Sequence, residues 1–209
     1  MSRLVGMFRL VAILSIAAVA LGLTVPAATA APAPTKIDAD LTALWTKVLE
    51  TPSAQNSFGS GGVAFACWNI GGGTVAPFGP SGVPSCTVKP GTKILVVASS
   101  FECSTFPGDT NPSSPTEAAL RTCAEQNDVH TAPSVTVDGQ SVPVREVETR
   151  LMNIVLPADN LFGLPAGATG LSVGHGWVVH LDPLTPGTHT IVGSGSATFT
   201  TAIIVKPGQ

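Results

Sequence analysis

The sequence predicts a mostly β domain, an antiparallel β-sandwich or a jelly-roll-like fold with one or two short helices. The chain of 209 residues contains 22 glycines and 18 prolines, and charged residues make up only 11% of it. Short apolar runs alternate with these turn-forming residues, which is the pattern of an all-β sandwich or barrel. The four cysteines are typical of a secreted domain that is stabilised by disulfides.

The first thirty residues have the order of a secretory signal peptide. Arg3 and Arg9 precede an apolar run from Leu10 to Val25, and Ala28-Thr29-Ala30 supplies the small residues of a cleavage site. The run is shorter than the roughly 20 apolar residues that a membrane-spanning helix needs. The sequence therefore predicts a secreted, extracellular protein, either soluble or associated with the cell wall.

Cleavage after Ala30 leaves a disordered lead-in at 31–35 and a single secreted domain at 36–209 with a β-rich body over 63–205. Loss of the two signal arginines reduces the 10 basic residues to 8 against 13 acidic ones, a formal charge of −5. A mildly acidic chain without a basic cluster is not expected to bind nucleic acid. No transmembrane segment is expected in the mature chain.

Two segments have helical patterns. Asp38 or Asp40 can cap a helix over 38–50. A second helix is expected to run to about residue 126, with the Ser114 hydroxyl as its cap, Pro115 in the first helical position and Glu117 in the capping-box position. In the first helix, the apolar residues that recur at helical spacing are Leu41, Leu44, Trp45, Val48 and Leu49.

The remaining apolar runs predict strands. The run 92–101 is continuously apolar, which indicates a central strand that is buried on both faces. Asp138-Gly139 separates two alternating runs within 134–142, which is a strong hairpin signal. The other predicted strands are 63–70, 146–156, 177–181, 189–193 and 197–205.

The four cysteines, Cys67, Cys86, Cys103 and Cys123, all follow the predicted cleavage site. An even number in an oxidising compartment indicates two disulfides, for which three pairings are possible. We favour Cys67–Cys86 and Cys103–Cys123, because each bridge then closes one irregular loop of about twenty residues. The alternative is a zinc thiolate site, which the lack of any C-x-x-C pair disfavours.

The order of several short motifs resembles a family of secreted bacterial, chiefly actinobacterial, proteins of unassigned function. The matching residues are Cys67-Trp68, Cys86 to Gly91, Glu102-Cys103-Ser104, Cys123, Val137-Asp138-Gly139 and Leu184 to Ile191. The resemblance covers most of 63–193. It implies a disulfide-containing β-sandwich and export, and it carries no activity to transfer.

Gly170-Leu171-Ser172-Val173-Gly174 matches G-x-S-x-G, which holds the nucleophile of many hydrolases when a strand leads in and a helix leads out. Here a loop rich in glycine and proline precedes the motif, and the predicted strand 177–181 follows it. We therefore interpret the motif as a glycine-rich turn, and Ser172 stays the nucleophile of an alternative, catalytic function.

Three residues near the end of the chain could bind a metal. If 177–181 and 189–193 form a hairpin across 182–188, His180 lies opposite His189, and Asp182 shares their face. Two imidazoles and a carboxylate can hold zinc or copper, and repulsion between the protonated rings would lower the pKa of at least one. The alternative is that His189 bonds to a loop carbonyl while His180 faces solvent.

Two carboxylates are further candidates. Glu102 ends an apolar strand, where a carboxylate is either tied to backbone N–H groups or functional, and we favour the structural role. Asp109 and Asn111 could offer oxygens to calcium, although two ligands at this spacing are common.

The leading expectation is a non-enzymatic binding or interaction module without a cofactor, whose partner is a protein or a component of the cell envelope. A stacking platform for glycans is disfavoured, because Trp45, Trp68 and Trp177 lie in helix or strand patterns that favour core packing. The alternative is a small extracellular hydrolase or metal-dependent enzyme that uses Ser172 or the group His180, His189 and Asp182, with zinc as its metal. A third expectation is a structural envelope component that acts through its acidic surface.

We predict that export removes residues 1–30. The small residues Ala28 and Ala30 fit the cleavage site after the apolar run, so the secreted chain should begin at Ala31. Intact-mass measurement of protein from culture supernatant checks this. A secreted chain that still carries Met1 would contradict it.

Overall fold

Two β-sheets pack face to face, and two helices cover parts of the first sheet. The computed structural model describes residues 35–109, 115–195 and 197–208. It confirms the predicted mostly β sandwich with short helices. The predicted signal peptide and residues 31–34 of the predicted lead-in lie outside the described residues.

The first sheet contains six strands in the order β1-β2-β4-β9-β7, with β8 also paired to β9. All neighbours are antiparallel except β2 and β4, which run parallel. Its strands are β1 (Cys67–Gly71), β2 (Thr74–Pro77), β4 (Lys93–Ser104), β7 (Arg145–Glu148), β8 (Met152–Val155) and β9 (Thr169–Leu181).

The second sheet contains five strands in the order β3-β11-β10-β5-β6. Its neighbours are antiparallel except for the parallel pair of β3 and β11. Its strands are β3 (Ser85–Val88), β5 (Ser134–Val137), β6 (Gln140–Val142), β10 (Gly187–Ser194) and β11 (Thr198–Val205).

The pair of β4 and β9 forms the centre of the first sheet. Their antiparallel register runs from Ile94 opposite Leu181 to Ser104 opposite Ser172, with an irregularity between Val97 and Ser99. Residues 94–99 of β4 are all buried, which confirms the prediction of a central strand. One face packs on the N-terminal helix, and the other packs on the second sheet and then on the second helix.

The N-terminal helix α1 (Lys36–Glu50) begins two residues earlier than predicted. Thr35 is its N-cap, whereas Asp38 or Asp40 was expected in that role. The Thr35 side chain accepts a hydrogen bond from the Asp38 amide, and the Asp38 carboxylate accepts one from the Thr35 amide at 2.6 Å, which is a capping box. The predicted apolar stripe is buried against the first sheet, as expected.

The second helix α2 (Glu117–Asn127) has the predicted extent but a different cap. Thr116 is the N-cap, and its hydroxyl accepts a hydrogen bond from the Ala119 amide. The expectation of a cap at residue 114 with Pro115 in the first helical position is therefore wrong, and residue 114 itself lies outside the described residues. Glu117 occupies the first turn, where a negative charge favours the helix.

Several predicted strand bounds need correction. The run 63–70 begins with a 3₁₀ turn (Gly62–Phe65), and the strand starts only at Cys67. The run 146–156 is split into β7 and β8 around Thr149, whose hydroxyl accepts a hydrogen bond from the Gly174 amide at 2.8 Å. β9 starts at Thr169, eight residues before the predicted strand, and therefore contains the whole G-x-S-x-G motif.

The predicted hairpin across 182–188 does not form. β9 belongs to the first sheet and β10 to the second, so the segment crosses between sheets. His180 lies opposite Leu95, and His189 lies opposite Ile203. The two strands were expected to pair because they are neighbours in sequence, but local pattern does not reveal which sheet a strand joins.

The hairpin at Asp138-Gly139 is confirmed. Both residues have positive φ, 50° and 80°, which is the signature of a type I′ turn between β5 and β6. Aspartate tolerates this conformation better than most residues, and the Asp138 carboxylate also accepts a hydrogen bond from the Thr190 amide at 2.8 Å.

Both predicted disulfides are present. Cys67–Cys86 joins β1 of the first sheet to β3 of the second, and Cys103–Cys123 joins β4 to α2. The first bridge therefore ties the two sheets together, while the second fixes the helix on the face of the central strand. Within the described residues, no helix is long and apolar enough to cross a membrane.

We predict that the double substitution Cys67→Ala/Cys86→Ala lowers the free energy of unfolding by about 3 kcal/mol, because the unfolded chain regains the entropy of the open loop. Urea unfolding followed by tryptophan fluorescence checks this. Wild-type protein unfolded under reducing conditions, with Cys103–Cys123 reduced as well, should be less stable than the double variant. An unfolding midpoint equal to that of the oxidised wild type would contradict the prediction.

Candidate functional site

A groove of about 700 Å³ opens where the edges of the two sheets separate. Its floor is 97–100 of β4, one wall is 197–201 at the start of β11, and the other wall is the loop 77–84, with Phe58 at the end. We call this the inter-sheet groove. Its volume lies in the range of roughly 300–1,000 Å³ that is usual for ligand sites.

The groove exists because two strands leave their partners early. β2 pairs with β4 only as far as Val75 opposite Ile94, and Pro77 then ends the strand. β3 pairs with β11 only from Ser85 opposite Ala202. In the described part of the chain, no strand covers the continuing edges of β4 and β11.

The backbone of these two edges points into the groove. The Ala202 amide donates to the Pro84 carbonyl at 2.9 Å on the β3 side. Because the hydrogen-bonding direction alternates along a strand, the N–H and C=O groups of Thr200 and Thr198 face the same side. The Lys93 amide donates to Gly73 at 2.9 Å on the β2 side, so the same alternation aims the backbone of Val97 at the groove.

An aromatic cluster fixes the loop 77–84, which forms one wall of the groove. The rings of Phe58 and Phe78 lie 5.0 Å apart, and Trp45 meets Phe78 edge-on at 5.3 Å. The Phe78 carbonyl accepts hydrogen bonds from the Trp68 indole at 2.9 Å and from the Ser57 hydroxyl at 3.0 Å. This wall is therefore fixed by the protein's own packing and hydrogen bonds.

The lining of the inter-sheet groove carries no charged side chain among the described residues. It combines apolar groups with serine and threonine hydroxyls. A charged ligand group placed there would lose its hydration without gaining a partner of opposite charge. The groove therefore favours uncharged ligands.

Ser99 connects the groove floor to a buried polar chain. Its hydroxyl donates to Oδ1 of Asp128, whose Oδ2 lies 2.9 Å from Nδ1 of His175. On the other side of the ring, Nε2 of His175 lies 3.3 Å from the Glu146 carboxylate. The hydrogen bond with Asp128 raises the pKa of His175 against the opposing effect of burial.

The order of these hydrogen-bonded side chains differs from that of a catalytic triad. In a triad the histidine lies between the serine and the carboxylate and removes the proton of the serine. Here the carboxylate of Asp128 lies in the middle, so the imidazole of His175 has no contact with the Ser99 hydroxyl. The arrangement orders α2 against the first sheet.

Glu102 lies within β4 on the face that α1 covers, with only 8% of its surface exposed. The Ser172 hydroxyl donates to its Oε1. Burial, reinforced by the nearby charge of Asp109, raises the pKa of Glu102 to about 8. The carboxyl therefore stays protonated at neutral pH, tied to a side chain rather than to the backbone N–H groups that the sequence suggested.

Ser172 lies inside β9 and is fully buried. The interpretation of the G-x-S-x-G motif as a turn is wrong, because the motif is part of a regular strand. Its glycines admit bulky neighbours: a Cβ on Gly170 would lie 2.7 Å from the Phe106 ring, and one on Gly174 would lie 2.7 Å from Trp45. The motif therefore serves packing, and the strand geometry contains no nucleophile elbow.

Two of the three residues of the predicted metal site, His180 and Asp182, line the same cavity, and His189 lies apart from them. Nε2 of His180 lies 3.1 Å from Oδ2 of Asp40, which also accepts a hydrogen bond from Lys36 at 2.8 Å. These residues lie beside a second cavity of about 440 Å³ at the start of α1, whose lining includes Asp182. His189 contacts residues of other segments.

His189 bridges two acceptors. Its Nδ1 lies 2.7 Å from Oδ2 of Asp138, and its Nε2 lies 2.9 Å from the Thr185 carbonyl. The hydrogen bond with Asp138, followed by the one with the Thr185 carbonyl, raises the pKa of His189. A hydrogen bond from His189 to a loop carbonyl, the alternative to a metal site, is present and involves Thr185. The expected repulsion by His180 rested on the wrong register.

No group of three metal-binding side chains occurs in the described residues. Asp109, a candidate for calcium, accepts hydrogen bonds from the amide of Ser104 at 2.7 Å and from its hydroxyl. Its suggested companion, Asn111, lies outside the described residues.

The tryptophans pack as the sequence predicted. Trp45 and Trp68 are buried, and the Trp45 indole donates to Ser100 at 2.9 Å. Trp177 is partly buried, and its indole donates to the Val129 carbonyl at 3.0 Å.

No family model, no curated protein and no solved structure matches this chain.

Sequence reasoning missed the inter-sheet groove. One wall of the groove is the loop between Pro77 and Pro84, and these prolines are turn signals in the sequence. The groove itself depends on which strands pair and where each pair ends, and neither fact has a local signal. The unpaired edge of β11 follows from the position of β3, which begins to pair only at Ser85 opposite Ala202.

We predict that Glu102→Gln removes a pH dependence of stability. The pKa of Glu102 is about 8 in the folded protein and 4.5 ordinarily. As pH rises, the unfolded chain therefore releases this proton at a lower pH than the folded protein does. The contribution of Glu102 to the free energy of unfolding is fully present below pH 4.5 and is lost as pH rises towards 8, by up to about 1.4 kcal/mol per pH unit.

Urea unfolding of both proteins from pH 4 to pH 9 measures this difference. Glu102→Gln should gain stability relative to wild type as pH rises through this range. Parallel curves for the two proteins would show that Glu102 ionises normally. Ser172→Ala is the matched control, because it removes the hydrogen bond and leaves the buried carboxyl.

Proposed function

We propose that the chain is an exported, non-enzymatic binding module that holds an uncharged ligand in the inter-sheet groove. The observation that carries the proposal is the combination of a preformed groove of about 700 Å³ with a lining free of charged side chains. A preformed site costs little reorganisation on binding.

The positions of the perturbed titratable groups support binding over catalysis. Catalytic acids and bases need an adjusted pKa and access to the substrate. Glu102 and His175 have raised pKa values, but both are buried and held by structural hydrogen bonds. His189 is held between Asp138 and Thr185 outside the groove lining.

Export is supported by two independent features. The order of basic, apolar and small residues in 1–30 is that of a secretory signal. All four cysteines form disulfides, which persist in an oxidising compartment. We therefore place the binding event outside the cell or at the cell wall.

An immobilised array of capped hexapeptides and uncharged oligosaccharides tests the proposal with fluorescently labelled mature protein. We expect wild type to be retained by uncharged members, and each eluted ligand to keep its original mass. Ala197→Trp should weaken retention roughly tenfold or more, because the new ring fills the groove from its exposed wall.

Ser141→Trp is the matched control. Ser141 is exposed on β6, away from the groove lining, so this variant should bind as wild type does. Cleavage or modification of a retained ligand would contradict the non-enzymatic proposal. Equal binding by Ala197→Trp and wild type, or an array that retains nothing, would contradict the groove as the site.

A further inference from the structure

We propose that the ligand of the inter-sheet groove is an extended, uncharged peptide segment of a partner protein, which adds as a strand to the open edge of β11. This inference rests on the proposed function and specifies its ligand. Three features of the groove support it independently: its backbone edge, its lack of charge and its position in line with an existing strand.

The open edge supplies main-chain hydrogen-bonding groups. The N–H and C=O groups of Thr198 and Thr200 face the groove, and no strand pairs with them there among the described residues. An unpaired strand edge is a template for another extended chain, and strand addition obtains its affinity from such main-chain bonds. A glycan or a compact small molecule would leave the repeat of these groups unused.

The position of β3 defines the path of the added strand. β3 pairs in parallel with β11 from Ala202 to Val205 and stops at Ser85. A peptide beside Thr198–Thr201 would occupy the continuation of this row and extend the second sheet along its existing register. Residues 77–84, which precede β3 in the chain, line the opposite wall of the groove.

The two sides of the added strand meet different surroundings. Thr198 and Thr200 are exposed on the outer face of the sheet, so peptide residues on that face would lie beside hydroxyls and solvent. The alternate residues would enter the groove towards Val97, Ala98 and the Phe78 wall. The preferred segment therefore alternates apolar residues with serine or threonine and carries no charge at the inward positions.

Two substitutions of Thr200 distinguish binding through its main-chain N–H from binding through its side chain. Thr200→Pro removes the outward N–H, and an edge strand tolerates proline there because the β10 side does not use this group. Thr200→Val keeps the N–H and removes the hydroxyl. Calorimetry with the capped probe Val-Thr-Val-Thr-Val-Thr should show roughly fivefold weaker binding for Thr200→Pro and unchanged binding for Thr200→Val.

Two modified probes test the same point on the peptide side. N-methylation of alternate amides blocks one edge of an extended peptide, and methylation of the other set blocks the opposite edge. We expect one set to lose binding at least roughly tenfold while the other set retains more, because β11 uses one edge. This pair keeps the test decisive if Thr200→Pro fails to fold.

The outcomes separate the two proposals. Binding that Ala197→Trp weakens, but that Thr200→Pro and both methylated sets leave unchanged, would overturn strand addition and keep the groove as a binding site. Retention of oligosaccharides alone would do the same. A concentration-dependent dimer in sedimentation that Thr200→Pro abolishes would identify a second copy as the occupant and overturn the partner peptide.

Discussion

The antiparallel ladder between β4 and β9 is the constraint on which the other elements depend. Each strand is covered on both faces, by α1 on one side and by the second sheet and α2 on the other. β7 and β8 both attach to β9, while β2 attaches to β4. The irregularity between Val97 and Ser99 changes the alternation of β4, so Val96 before it and Cys103 beyond it lie on the same face of the sheet.

Buried polar groups fix the register of this ladder. Glu102 bonds to Ser172 on the face of α1, and Ser99 bonds to Asp128 on the opposite face. A slip by one residue would exchange the two faces and leave these groups without partners in an apolar layer. Burying these polar groups costs stability, but it makes one register of the ladder much more favourable than the others. The pKa of about 8 for Glu102 is a consequence of the same burial.

Local patterns predicted the elements but not all of their partners. The stripe of α1, the turn at Asp138-Gly139 and the neighbouring disulfides follow from short-range spacing, and the structure contains all three. The misplaced hairpin across 182–188 shows the limit, since a proline-rich connection fits a crossing between sheets as well as a return. The inter-sheet groove depends on where the pairs β2–β4 and β3–β11 end, and no local spacing predicts those ends.

The separation of β4 and β9 along the chain also determines the order in which the protein can fold. Glu102 and Ser172 touch although they lie 70 positions apart, so the central ladder needs a large loop to close first. Domains dominated by such distant pairings fold slowly, on the scale of milliseconds to seconds. Cys103 and Cys123 are only 20 positions apart, and their bridge can form before β9 arrives. Closure of this bridge would attach α2 to β4 while the edge of β4 that later pairs with β9 is still open.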